Sequence, residues 1–178
     1  MKKKLFANID STKTYSKVLI KKKEPFVYKA STNDYLKVLT YLSNYVKLIK
    51  TKGKPYKKLV DWILEQELLL QDYDFDFPTI KQLASEVGIP ATEITLYLPE
   101  IYKAILKLNT ENPQAFKKDG QKLCTLQYRY RGKYFDFNIG LDVIPRVGEY
   151  FIFLFAELEC GICGFFVNRV FHNIENEG

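Results

Sequence analysis

The stretch that decides the fold is residues 79–98, TIKQLASEVGIPATEITLYL. Its first part has the apolar spacing of a short helix, Gly88 breaks that helix, and Pro90 introduces a second helix that runs to about Leu108. Ala84 is small enough for two helices to cross closely, and Gly88 can take the positive φ that the turn needs. The stretch therefore predicts two helices that cross steeply around a tight turn.

Seven positions of this stretch match the core pattern of a helix-turn-helix, and they are Leu83, Ala84, Val87, Gly88, Ile89, Ile94 and Tyr97. The segment Thr79–Leu98 resembles the bacterial helix-turn-helix family over about 20 of the 178 residues. The resemblance implies DNA binding, with the second helix placed in the major groove.

The outward positions of this second helix differ from those of a helix that reads bases. None of them is Arg, Lys, Asn or Gln, the side chains with good hydrogen-bond geometry toward base edges. Thr92 and Thr95 can contact a phosphate or a thymine methyl group. We expect Pro99 to kink the helix unless the helix restarts there. The outward positions are Pro90, Ala91, Thr92, Thr95, Leu96 and Pro99.

The positive charge of the chain lies outside this motif. The sequence has 27 Lys and Arg residues against 21 Asp and Glu residues, a formal net charge of +6. Residues 1–58 contain 16 lysines and 3 acidic residues, whereas residues 59–178 carry a net charge of −7. Residues 72–108, which include the motif, carry −3. Because DNA affinity depends on neutralising phosphates, the early lysines would have to lie beside the motif. The alternative is that they form a solubilising surface.

These features predict non-enzymatic nucleic-acid binding, in a DNA-binding regulator or a mobile-element accessory protein with weak base readout. The alternative is a protein-interaction adaptor that binds a partner or a second copy of the chain, without nucleic acid. No P-loop, dinucleotide fingerprint, nucleophile elbow or His-Glu-x-x-His pattern occurs, so no enzymatic activity and no cofactor are predicted. The candidate contacts are Lys81, Gln82, Thr92, Thr95 and Lys103, together with Lys50, Lys52, Lys54, Lys57 and Lys58.

The sequence predicts an α+β fold in three segments. These are a basic N-terminal arm over residues 1–30, a helical domain over residues 31–110, and an antiparallel β domain over residues 120–178, folded as a small sheet or an SH3-like barrel. Apolar residues at three- and four-residue spacing predict further helices over residues 31–50 and 55–71. The predicted strands are Leu123–Arg131, Lys133–Ile139, Glu149–Glu157 and Phe165–Ile174.

Aromatic and basic residues alternate along residues 128–137, YRYRGKYFDF. One hypothesis is a stacking platform for single-stranded nucleic acid, built from Tyr128, Tyr130 and Tyr134 with Arg129, Arg131 and Lys133. The favoured interpretation is the ordinary alternation of a strand with one buried face.

Three cysteines and one histidine form the only candidate metal-ligand set. Cys160 and Cys163 have C-x-x-C spacing, and with Cys124 and His172 they could form a zinc site. A single C-x-x-C pair is a weak signal, so we interpret the cysteines as small buried or loop residues and predict no metal.

Nothing in the sequence indicates a membrane protein. No stretch approaches the roughly 18 consecutive apolar residues of a membrane span, and the basic residues after Met1 are not followed by a signal-peptide core. We expect a soluble cytoplasmic protein with no membrane partner.

Overall fold

The computed structural model describes residues 28–66, 76–130 and 133–170. It has an α+β fold, as predicted, and the described residues include no helix with the length and apolar character that a bilayer crossing requires. Residues 1–27 of the predicted arm over residues 1–30 lie outside the described part of the chain. The elements in chain order are α1 (Thr32–Tyr41), α2 (Ser43–Val46), α3 (Lys57–Glu65), α4 (Ile80–Val87), α5 (Ala91–Glu111), a 3₁₀ helix (Pro113–Phe116), β1 (Lys122–Tyr130), β2 (Lys133–Leu141), β3 (Tyr150–Ile152), α6 (Leu154–Cys160) and β4 (Gly164–Phe166).

The predicted helix over residues 31–50 is wrong as a single element, because it divides at Leu42 into α1 and α2. The Thr40 hydroxyl donates a 2.8 Å hydrogen bond to the Leu36 carbonyl just before the division. Such back-bonding competes with the helical hydrogen-bond pattern and favours a bend. The second predicted helix begins at Lys57, and its last residues lie outside the described part of the chain.

The two helices of the sequence motif are present as α4 and α5. Thr79 caps α4, and Gly88 ends it in the left-handed conformation with φ 68°. The amides of Gly88 and Ile89 both donate to the Ala84 carbonyl, at 3.0 and 3.2 Å. This pattern satisfies the end of α4 and turns the chain directly into α5.

The long helix α5 runs through the centre of the fold. It continues through Pro99 as one helix to Glu111, so the helix does not restart at the proline. It packs on α4, α1 and β2, with Tyr102 against Tyr35 of α1 and Asn109 bonded to Asn138 of β2. One core therefore lies along its inner face, where Ile94, Leu98, Ile101 and Ile105 are fully buried. The predicted division into a helical and a β domain stays a prediction.

The C-terminal part contains small antiparallel sheets, as predicted, but its strands do not join in a single sheet or close into an SH3-like barrel. β1 and β2 form an antiparallel hairpin, whereas β3 and β4 pair antiparallel with α6 between them in the chain, giving two separate two-stranded sheets. The predicted strand Glu149–Glu157 is wrong beyond Ile152, because the chain continues as α6. The predicted last strand Phe165–Ile174 is wrong beyond Phe166, where β4 ends, since residues 167–170 are not in a strand. Its residues from 171 onward lie outside the described part of the chain.

The reason for this error is the uniformly apolar stretch at residues 150–156. A short apolar run does not distinguish a strand from a buried helix by periodicity alone. In the structure Phe155 and Leu158, three residues apart, are buried together on one face of α6. Phe155 packs against Phe137 of β2 with ring centroids 4.1 Å apart, so the run fills an aromatic core as a helix.

Candidate nucleic-acid interface

A lysine-rich turn connects α2 to α3, and we call residues 50–58 the lysine turn. Its backbone is held by a hydrogen bond from the Lys54 amide to the Thr51 carbonyl at 2.9 Å, and Gly53 takes φ 75° at its centre. Lys57 forms an ion pair with Asp61 on α3. All five predicted lysines of this region are exposed, and the four that make no ion pair with any described residue are Lys50, Lys52, Lys54 and Lys58.

The lysine turn is anchored beside the second helix of the motif. Tyr56, at the end of the turn, is buried and packs edge-on against Tyr97 of α5, with ring centroids 6.3 Å apart. Burial raises the pKa of Tyr56, and the nearby Glu100 carboxylate raises it further. The contact therefore brings the basic turn next to α5, the second helix of the motif.

The outward face of the motif is open. We use that name for Pro90, Ala91, Thr92, Thr95, Leu96 and Pro99. Thr92, Thr95 and Leu96 are exposed, and 64% of the Leu96 surface is accessible. Since the described part of the chain leaves these side chains accessible, neither of its sheets blocks the approach of a groove.

Several polar groups around this face are held by the protein itself. The Thr95 hydroxyl donates to the Ala91 carbonyl at 3.0 Å. The Tyr97 hydroxyl donates to the Glu93 carboxylate at 2.9 Å, and this bond is the main cause of a raised pKa for Tyr97. The Thr95 hydroxyl therefore faces the helix backbone, which leaves the Thr95 methyl group on the outward side.

The predicted contacts on the motif have different surroundings. Lys81 is exposed in the first turn of α4, and Lys103 is exposed on α5 about 10 Å along the helix from Leu96. The Gln82 side-chain oxygen accepts hydrogen bonds from the Thr79 amide and hydroxyl, at 2.8 and 2.7 Å. Gln82 therefore completes the capping box of α4 with Thr79, and its side-chain oxygen is already hydrogen-bonded within the protein.

Acidic residues remain on the motif as the sequence indicated. Glu86, Glu93 and Glu100 are exposed on α4 and α5. These carboxylates repel phosphates, so the exposed lysines available to attract an anionic partner are mainly those of the lysine turn.

The three-tyrosine stacking platform does not form. Tyr128 faces the aromatic core, with its ring centroid 5.2 Å from that of Phe165. Burial raises the pKa of Tyr128, and the neighbouring Cys160 thiol raises it further. Tyr134 lies on the opposite face of the hairpin, where it is 70% exposed beneath the Arg129 guanidinium. Neighbouring residues of a strand point to opposite faces, which separates the proposed members. Tyr130 lies on the same face of the hairpin as Tyr128. Arg131 and the side chain of Lys133 lie outside the described part of the chain.

The cysteines occupy different places in the fold. Cys160 is buried at the end of α6, where its thiol donates to the Ala156 carbonyl at 3.0 Å. Burial raises the pKa of both Cys124 and Cys163. No disulfide bond joins any of the three cysteines within the described residues. The described residues contain no cluster of three or more His, Cys, Asp or Glu side chains suited to a metal ion, and His172 lies outside them.

The contact between Tyr56 and Tyr97 was not foreseen from the sequence. Tyr97 was placed at an inward position by the motif, but no pattern indicates that Tyr56 is its partner. Comparisons of the chain with protein-family models, curated proteins and solved structures find no match.

Proposed function

We propose that this chain is a non-enzymatic, cytoplasmic DNA-binding protein of the regulator or mobile-element accessory type. The lysine turn binds the phosphate backbone of duplex DNA, and the outward face of the motif enters the major groove with weak base readout. The single observation that carries the proposal is the packing of Tyr56 on Tyr97, since it fixes an exposed basic turn beside an open helix-turn-helix.

The charges make the expected binding electrostatic. Each phosphate neutralised by a lysine releases counterions and contributes about −0.9 to the slope of log K against log salt. Four exposed lysines without an ion pair among the described residues predict a slope of about −3 to −4 from the lysine turn. Lys103 and Lys81 add further contacts along the same helices.

The proposal is tested by equilibrium binding to a fluorescent duplex of about two helical turns at about 50 mM salt. The triple variant K50Q/K52Q/K54Q should bind about tenfold or more weakly than the wild type. The matched control K117Q/K118Q/K122Q removes the same charge from exposed lysines near β1 and should lose far less affinity. Absence of wild-type binding, or equal losses in both triple variants, would overturn the proposal.

Protein binding is a second candidate function, favoured by an exposed apolar face on the sheet of β3 and β4. Tyr150, Ile152 and Phe166 share this face and are each more than 60% exposed. Such a patch is typical of an interaction surface. Sedimentation over a wide concentration range should show self-association that Ile152→Asp abolishes. A wild-type protein that remains monomeric throughout would contradict binding to a second copy.

A further inference from the structure

The second helix of the motif presents an apolar side chain at the centre of its outward face. Ile94 and Leu98 are fully buried, and Leu96 lies two positions from each of them. Successive residues of an α-helix are separated by about 100°, so Leu96 points about 200° away from both buried neighbours. A large aliphatic side chain thus occupies the position that would meet the floor of the groove.

The neighbours of Leu96 reinforce this apolar character. Since the Thr95 hydroxyl is bonded to the Ala91 carbonyl, the group that Thr95 offers to an approaching base is its methyl group. The Glu93 carboxylate is held by Tyr97 at the flank of the helix. The outward face therefore lacks the bidentate donors that read guanine and the amides that read adenine.

One base presents a complementary group in the major groove. Thymine carries a C5 methyl group there, which apolar side chains and threonine methyl groups contact, whereas cytosine carries a hydrogen at the same place. We propose that Leu96, assisted by Thr95, recognises thymine methyl groups and gives this protein a preference for A·T-rich duplexes. This inference rests on the proposed DNA-binding function and adds the specificity-determining residue to it.

The lysine turn and Leu96 would then have different roles in DNA recognition. The lysines, anchored through Tyr56 and Tyr97, contribute affinity that does not depend on sequence. Leu96 contributes discrimination, and each thymine methyl group that it buries is worth about fourfold in affinity.

The test compares duplexes that differ only in that methyl group. A wild-type protein should bind a thymine-containing duplex about fourfold or more tightly than the same duplex with deoxyuridine at every thymine. A G·C duplex with 5-methylcytosine should bind more tightly than its unmethylated form. Leu96→Ala should lose most of the preference for thymine over deoxyuridine, with its affinity for both duplexes falling near the wild-type affinity for deoxyuridine.

The control is Val143→Ala, which shortens an exposed aliphatic side chain in the loop after β2 and should keep the thymine preference. Equal wild-type affinity for the thymine and deoxyuridine duplexes would overturn the inference and leave the proposed function standing. A Leu96→Ala protein that keeps the preference would remove Leu96 from the role. No wild-type binding to either duplex would overturn the DNA-binding function itself, and this inference with it.

Discussion

Asn109 shows how a single buried amide joins two parts of the fold. Its side-chain nitrogen donates to the Asn138 carbonyl at 2.7 Å, and its side-chain oxygen accepts from the Asn138 amide at 2.9 Å. A residue of α5 thus pairs with the backbone of β2 much as a neighbouring strand would. The 3.6-residue periodicity of α5 indicates which residues face inward, but it does not indicate which backbone groups an inward amide would meet.

Replacing Asn109 with Ala should therefore destabilise the protein by about 1–3 kcal/mol, because two backbone groups of the partly buried Asn138 lose their partner. Urea unfolding followed by circular dichroism measures this change in the free energy of unfolding. Thr110→Ala, at the exposed neighbouring position, is the control and should cost less than about 0.5 kcal/mol. A similar loss in both variants would argue that the amide pairing contributes little.

At the scale of elements, local signals predicted the ends of helices better than the nature of the last strands. The capping residue Thr79 and the turn residue Gly88 act through their own backbone neighbours, so residues 79–87 were readable as a helix. The secondary structure of residues 150–156, in contrast, depends on tertiary packing of Phe155 against Phe137, which the local sequence does not specify. Two separate sheets instead of a barrel follow from the same cause, since α6 separates β3 from β4 in the chain.

The cap of α1 gives a pH-dependent prediction at this scale. Burial acts to raise the pKa of Asp34, but hydrogen bonds from Ser31 and Tyr28 outweigh it, and the charge of Lys37 adds to them, so the pKa lies below its usual value. The ionised carboxylate therefore stabilises the folded state fully above the unfolded-state pKa of about 4, and this contribution is lost as the pH falls through the folded-state pKa.

Asp34→Asn should accordingly be less stable than the wild type near pH 6, and the difference in free energy of unfolding should shrink toward pH 3. Urea unfolding at a series of pH values measures it. Asn33→Ala changes an exposed, non-titrating residue of the same turn, so its difference from the wild type should not vary with pH. A pH-independent difference for Asp34→Asn would contradict the assigned role.

At the scale of the whole molecule, the charge composition indicates that the lysines and the motif must lie close together for DNA binding, but it does not indicate which contact brings them together. The sequence shows that the lysines of residues 1–58 and the acidic motif are separate, so DNA binding needs both on neighbouring surfaces. Their approach depends on a contact between Tyr56 and Tyr97, which are distant in sequence and belong to no common pattern. The candidate residues could thus be named in advance, whereas their arrangement required the tertiary structure.

The most direct test of the central claim is photo-crosslinking to duplex DNA from a photoreactive amino acid placed at Thr92 on the outward face. The same group placed at Asp119, an exposed position near β1, is the control. We predict a DNA cross-link from position 92 that K50Q/K52Q/K54Q suppresses, and little or none from position 119. Cross-links of equal strength from both positions, or none from position 92 while the DNA is bound, would contradict the account.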